Sequence, residues 1–204
     1  MGDQGEHRAG KRAEDRPEGP WGGWDAGAVH ARLRELAAHD PDLRRFGAGT
    51  HRYALSRPLP EREIRAFEEA HDIALPGEYR SFVAAVGDGP AGPAHGLLPL
   101  TVPRPEADDE WAVDDEWRED RRSGRLAEPF PLTAPRPGRL GAAETEALTR
   151  GTLTLAEQGC GVFSRLVLHG PRAGEVWDLD PDRGGFTPTG TGFRAWYTAW
   201  LAEP

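Results

Sequence analysis

Residues 193–201 set Phe193, Trp196, Tyr197, Trp200 and Leu201 at i, i+3, i+4, i+7 and i+8, so a helix there presents a continuous wall of large apolar side chains. A face of that size has to lie on something, and the preceding sequence supplies it. From Gly151 the apolar period changes to that of strands. Residues 152–155, 162–168 and 175–180 are β-rich runs, and the last two are joined by a Gly/Pro turn at 169–174. The simplest reading is an antiparallel meander with the aromatic helix laid across it.

Three helices are expected ahead of the sheet. With Asp25 as N-cap, Val29, Leu33, Leu36 and Ala37 recur at helical spacing until Asp40-Pro41 ends the pattern. A second helix is predicted from Leu59-Pro60, with Glu61 and Glu63 in its first turn and Ile64, Phe67 and His71 on one face. A third opens at Pro76, carries Tyr79, Phe82, Val83 and Val86, packs against the second, and is expected to close on a left-handed Gly87. Thr191 is the expected N-cap of the aromatic helix. Residues 97–100 and 129–132 read as short extended pieces. Helices, then strands, then a covering helix give an α+β fold, one domain over residues 23–204. Residues 1–22 mix charge with Gly and Pro and are expected to be disordered.

Charge narrows the function classes. The chain carries 34 acids against 25 Lys and Arg, net -9, which argues against broad binding to nucleic acid. Most of the excess is local: residues 106–120 hold nine acids and one base, Arg118, while the remainder, with 25 acids and 24 bases, is nearly neutral. A basic protein partner fits this pattern better. No apolar run approaches the ~20 residues of a membrane helix, residues 1–20 contain no signal-peptide core, and the single cysteine, Cys160, has no disulfide partner within the chain. The expectation is a soluble cytoplasmic protein.

Several weak motifs occur in an informative order: Leu75-Pro76-Gly77-Glu78-Tyr79 with Phe82, Gly87-Asp88-Gly89, Gly96 with Leu97 to Leu100, Gly159-Cys160-Gly161, Leu166-Val167-Leu168, Gly174-Glu175-Val176-Trp177-Asp178, and the aromatic close. Together they resemble the SUKH superfamily, which contains fungal cell-wall synthesis regulators and many bacterial immunity proteins. Two features depart from its pattern: Gly87-Asp88-Gly89 stands where an Asn-Gly turn is common, and the stretch 101–125 is longer and more acidic than a minimal member needs. The resemblance implies a non-enzymatic binding module, with an acidic insertion near 101–125, that neutralises a nuclease-like toxin by binding it. A regulatory scaffold without a toxin partner is the alternative. In the first reading Asp108, Asp109, Glu110, Asp114, Asp115 and Glu116 attract the basic partner, and Trp111 and Trp117 anchor it. The same segment also reads as a solvated acidic loop whose tryptophans cover the sheet.

An enzyme reading draws on scattered parts. Cys160 could be a nucleophile with His169 or His95 as base, and Asp178 and Asp180, two apart on a strand, could hold a divalent cation or serve a hydrolase. The ordinary alternation of a half-buried strand, with Trp177 and Leu179 inward, explains the aspartates as well. The seven histidines show no metal-ligand spacing, and Gly87-Asp88-Gly89 lacks the Lys-Ser/Thr ending of a phosphate loop. No catalytic residue, metal or cofactor is assigned.

Overall fold

The computed structural model describes residues 23–101 and 115–203, except for the side chains of Asp115 and Glu116. The expected disorder of residues 1–22 lies outside the described residues. The elements are α1 (Ala26–His39), α2 (Ala48–His51), α3 (Glu61–His71), α4 (Gly77–Ala85), α5 (Asp115–Asp120), α6 (Ala142–Leu148), β1 (Thr152–Gly159), β2 (Val162–Val167), β3 (Glu175–Asp180), β4 (Gly185–Gly192) and α7 (Phe193–Ala202). The fold is α+β, with one antiparallel sheet in the order β1-β2-β3-β4.

The local rules hold for the first helices. Asp25 caps α1 by accepting the Ala28 N–H at 2.9 Å, and Val29, Leu33 and Leu36 are its buried stripe. Proline precedes both α3 and α4, at the cap and not inside the first turn, with Pro60 and Pro76 in extended conformation. The two helices pack as a pair. Arg80 of α4 reaches Glu61 at 2.8 Å and Glu68 at 3.1 Å on α3.

The aromatic face of α7 lies where the sequence places it. Phe193, Tyr197, Trp200 and Leu201 are buried, and Phe193 and Tyr197 meet Trp24 and Phe82 edge-on or tilted at 4.7–6.0 Å. Burying each such side chain contributes about 1.5–3 kcal/mol, which fixes α7 against α1, α4 and one face of the sheet. That face supplies Leu153, Leu155, Leu166 and Val176 to the same core. At its far end α7 is held by cations from the α1 region: Arg32 donates to the Leu201 carbonyl at 2.8 Å and Arg45 to that of Trp200 at 2.6 Å.

Two local expectations are corrected. Gly87 does not close α4 in the left-handed region; its value is close approach, since a Cβ there would stand 2.6 Å from the Ser56 carbonyl oxygen. Thr191 is not the cap of α7. It belongs to β4, Gly192 is the cap residue, and the acceptor comes from α4, where Glu78 Oε2 receives the Arg194 N–H at 3.0 Å. Residues 129–132 pair with no strand, and Phe130 packs on Trp177 and Phe186. Residues 97–100 are the expected extended edge, joined to the outer side of β1 by one antiparallel bridge, Leu97 to Ala156.

Both faces of the sheet are covered. Alternation turns Val167, Trp177, Leu179 and Phe186 to the side opposite α7, where Phe130 and Leu140 close a second, smaller core. The two outer strands are blunted in different ways. Residues 95–98 lie along β1, and β4 carries Pro188 and is bridged by Arg136 at Phe186.

His51, at the end of α2, is enclosed by Tyr53 and Trp200, accepts the Tyr53 N–H on Nδ1 at 3.0 Å, and has no partner for its buried Nε2. Burial first, then the charges of Arg45 and His95, lowers its pKa from 6.5 to about 4. The folded value lies below the unfolded one, so this stability is complete above pH 6.5 and is lost as pH falls from 6.5 to about 4. The loss should reach about 3 kcal/mol. Urea unfolding at pH 7, 5 and 4 should show a smaller decline for His51→Gln than for the wild type; equal declines would rule this source out.

Candidate functional site

The acidic segment enters and leaves the fold through two stems that grip each other. On the entering stem, Asp88 accepts the Leu100 N–H at 2.7 Å, the Thr101 N–H at 3.4 Å and the Thr101 hydroxyl at 3.1 Å. The carbonyls of the same stem are taken from the other side. Trp117 Nε1 donates to Pro99 O at 2.6 Å, and Arg121 Nη2 donates to Pro99 O and Leu100 O at 3.1 and 3.0 Å. The Arg121 guanidinium lies 3.7 Å over the Trp117 ring and also donates to the Trp117 carbonyl. Asp88 thus binds the donors of residues 100–101 while Trp117 and Arg121 bind the acceptors of residues 99–100. Burial raises the Asp88 pKa, and the bonds from Leu100 and Thr101 oppose that shift.

A second joint fixes the exit stem to the sheet. Asp120, the last residue of α5, is 1% exposed and Arg165, in the middle of β2, is 2% exposed. They form an ion pair through Asp120 Oδ1 and Arg165 Nη2. Asp120 Oδ2 accepts the Thr154 N–H at 2.7 Å, on the side of β1 that has no neighbouring strand. The other guanidinium nitrogens donate to Thr152 Oγ1 at 2.8 Å and Thr154 Oγ1 at 2.7 Å. The polar lattice continues outward: Thr152 donates to the Thr149 carbonyl, Arg125 donates to the Thr149 hydroxyl, and Glu119 stands 3.6 Å from Arg125 and 2.8 Å from Arg122.

The nine acids of 106–120 therefore divide. Glu119 and Asp120 are matched by the fold's own arginines. Glu106, Asp108, Asp109, Glu110, Trp111 and Asp114 lie outside the described residues, and Asp115 and Glu116 are described by backbone alone, in the first turn of α5. Trp117 is 8% exposed and turned toward Pro99, so its ring is occupied by Arg121 and the stem. The sequence offered one signal for this joint: Arg165 is the one charged residue of β2, and a buried cation demands a counter-ion.

The other candidates are placed as follows. Cys160 is exposed at the β1–β2 turn with φ 54°, while His169 lies past the opposite end of β2, roughly 20 Å away at the rise of an extended strand. The ring of His95 packs edge-on to Phe46 at 5.0 Å and its Nδ1 is 3.4 Å from Thr50 Oγ1. Asp178 does not face water as the alternation suggests. It is half-buried and accepts from Ser164 Oγ at 2.8 Å and Gln158 Nε2 at 2.5 Å, with its pKa raised by burial against those two bonds. Asp180 caps the β3–β4 turn, accepting the N–H groups of Asp182 and Arg183. The two carboxylates do not converge, and among the described residues no three His, Cys, Asp or Glu side chains could hold a metal ion. Among them also, no helix is long and apolar enough to cross a membrane.

Two of the motif pieces meet at one shallow groove, lined by Pro76, Gly77 and Glu78 and by Gly174 and Glu175, with Gly192, the cap residue of α7, beside them. Its carboxylates serve the fold: Glu78 caps α7, and Glu175 accepts from Arg172 and Trp177 Nε1. No family model, curated protein or solved structure matches the chain.

Removing one member of a buried pair strands the other charge, a loss of about 3–5 kcal/mol. Asp120→Ala should therefore lower unfolding free energy by that amount, and Asp120→Ala with Arg165→Met should recover part of it. A loss below about 1 kcal/mol for the single variant in urea titration would show that the pair does not carry the joint.

Proposed function

We propose that the protein is a non-enzymatic binding module that captures a basic protein partner through its acidic segment, in the way an immunity protein occludes a nuclease toxin. The observation that supports this reading is the closed pair of stems. Asp88, Trp117 and Arg121 hold residues 99–101 against residues 117–121, so the acids between them are delivered from a fixed base. Glu119 and Asp120 are neutralised within the fold, which leaves Glu106, Asp108, Asp109, Glu110, Asp114, Asp115 and Glu116 against Arg118 as the charge offered to a partner.

The chemistry of the partner follows from that charge. A nuclease site is basic because it holds phosphates, and a like-signed substitute for the phosphates docks with a fast, salt-sensitive association. Trp111 is the aromatic anchor in this reading, since Trp117 is spent on the stem. The exposed thiol of Cys160 suits the reducing interior of a cell, where the toxin would act.

The test replaces Asp108, Asp109, Glu110, Asp114, Asp115 and Glu116 together by Asn and Gln. Calorimetric titration against purified basic nuclease domains, including any encoded by the adjacent reading frames, should show tight binding by the wild type at low salt. The variant should bind at least about tenfold more weakly, with a shallower dependence of Kd on salt. Binding by the variant that equals the wild type in affinity and salt dependence, or no binding of any of these nucleases by the wild type, would overturn the proposal.

A further inference from the structure

The clamp on the two stems has an ionisable neighbour that takes no part in holding it. His71, the last residue of α3, lies tilted on Phe67 with ring centroids 4.6 Å apart, and its Nδ1 is buried without a hydrogen-bond partner. The Arg121 guanidinium, which secures Pro99, Leu100 and Trp117, stands 5.6 Å from the centroid of the same Phe67 ring. One aromatic ring is thus shared by an imidazole and a permanent cation. That arrangement is tolerable only while the imidazole is neutral, because a second proton would create a buried N–H with nothing to accept it and a charge facing Arg121.

We propose that His71 is an acid-sensitive release for the clamp: its protonation favours the state in which Arg121 has let go of Pro99 and Leu100 and the two ends of the acidic segment are no longer tied. The release stands on the geometry of the clamp and holds whether or not the segment binds a basic partner.

The charge of Arg121 reaches His71, and the same guanidinium acts on Asp88 and Tyr79. Burial, and after it the charge of Arg121, holds the His71 imidazole below its ordinary value of 6.5. The closed state therefore binds the proton less tightly than the open state, and closure is lost as pH falls below about 6.5. Asp88 works in the opposite sense. Its pKa is raised by burial in the closed state, so acid acting through Asp88 favours closure. Tyr79 is buried and pushed far up, and does not titrate in this range. Opening that grows with acid is thus a signature of His71 and not of Asp88.

Amide hydrogen exchange of the full chain between pH 7 and pH 5 reads this directly. The N–H groups of Leu100 and Thr101 report the clamp, and that of Leu166, paired between β2 and β3, reports global unfolding, to which His51 contributes. After correction for intrinsic exchange, the opening constant at Leu100 should rise by up to about tenfold per pH unit below pH 6.5, well ahead of any rise at Leu166. In His71→Phe, which keeps the contact with Phe67, and in His71→Gln, which keeps a neutral polar group, it should stay flat or fall. A wild type whose Leu100 opening is independent of pH or rises only in step with Leu166, or variants that retain the rise, would overturn the proposal.

Discussion

The Asp120–Arg165 pair is the contact on which the arrangement of the other elements turns. Two charges taken out of water cost several kcal/mol each, and mutual attraction offsets that cost only when the remaining donors and acceptors are also satisfied. Here they are. Arg165 is bound by Asp120, Thr152 and Thr154, and Asp120 by Arg165 and the Thr154 N–H. Such a joint has little tolerance for displacement, because a shift of one residue in α5 or in β1–β2 pairing would leave two buried ions exposed to each other's absence. The pair thereby sets register between α5 and the strands beneath it, a role a patch of leucines would fill less selectively.

The same contact solves an edge problem. β1 is an outer strand, and an outer strand with open N–H groups invites pairing with another chain. Asp120 takes the Thr154 N–H, the Leu98 N–H binds the Leu155 carbonyl at 2.7 Å, and the His95 N–H binds that of Glu157 at 3.1 Å. The stems of the acidic segment therefore do two things at once: they cover the edge of the sheet and they hold the two ends of the segment together. On the opposite edge, Pro188 removes a donor and Arg136 pairs with Phe186. With both edges engaged, a partner meets side chains and loops, not an open strand.

What could be read from sequence tracks what was strongly periodic. The stripes of α1, α3, α4 and α7 and the three aliphatic strands were legible because burial repeats every 3.6 or 2 residues, and tertiary packing agreed with that period. β4 was not legible. Its sequence, Gly185 to Gly192 with Pro188 inside, has the composition of a loop, and it becomes a strand because β3 offers it a ladder. The short helices α2 and α6 carry too few residues for a period to emerge. The cap of α7 was missed for a different reason: Glu78 lies 116 residues before Arg194 in the chain, and no local motif encodes it. For the acidic segment, a charge count treats Asp120 like Asp114. Only the isolated Arg165 in β2 signals that one acid of the run belongs inside.

That division of the acids carries a physical consequence for the segment itself. A run of like charges repels itself, and tying its two ends together raises the repulsion by confining it. Among the described residues the answer comes from cations of the exit stem and the sheet: Arg121 on Trp117 and the Pro99 and Leu100 carbonyls, Arg122 and Arg125 on Glu119, and Arg165 on Asp120. These arginines neutralise Glu119 and Asp120, the acids nearest the sheet. In the proposed reading, a cationic surface brought to the segment relieves the remaining repulsion and returns the work of closing the stems. In that reading the clamp and the charge are two halves of one device, since a clamp on a neutral loop would store nothing and an unclamped acidic run would spread.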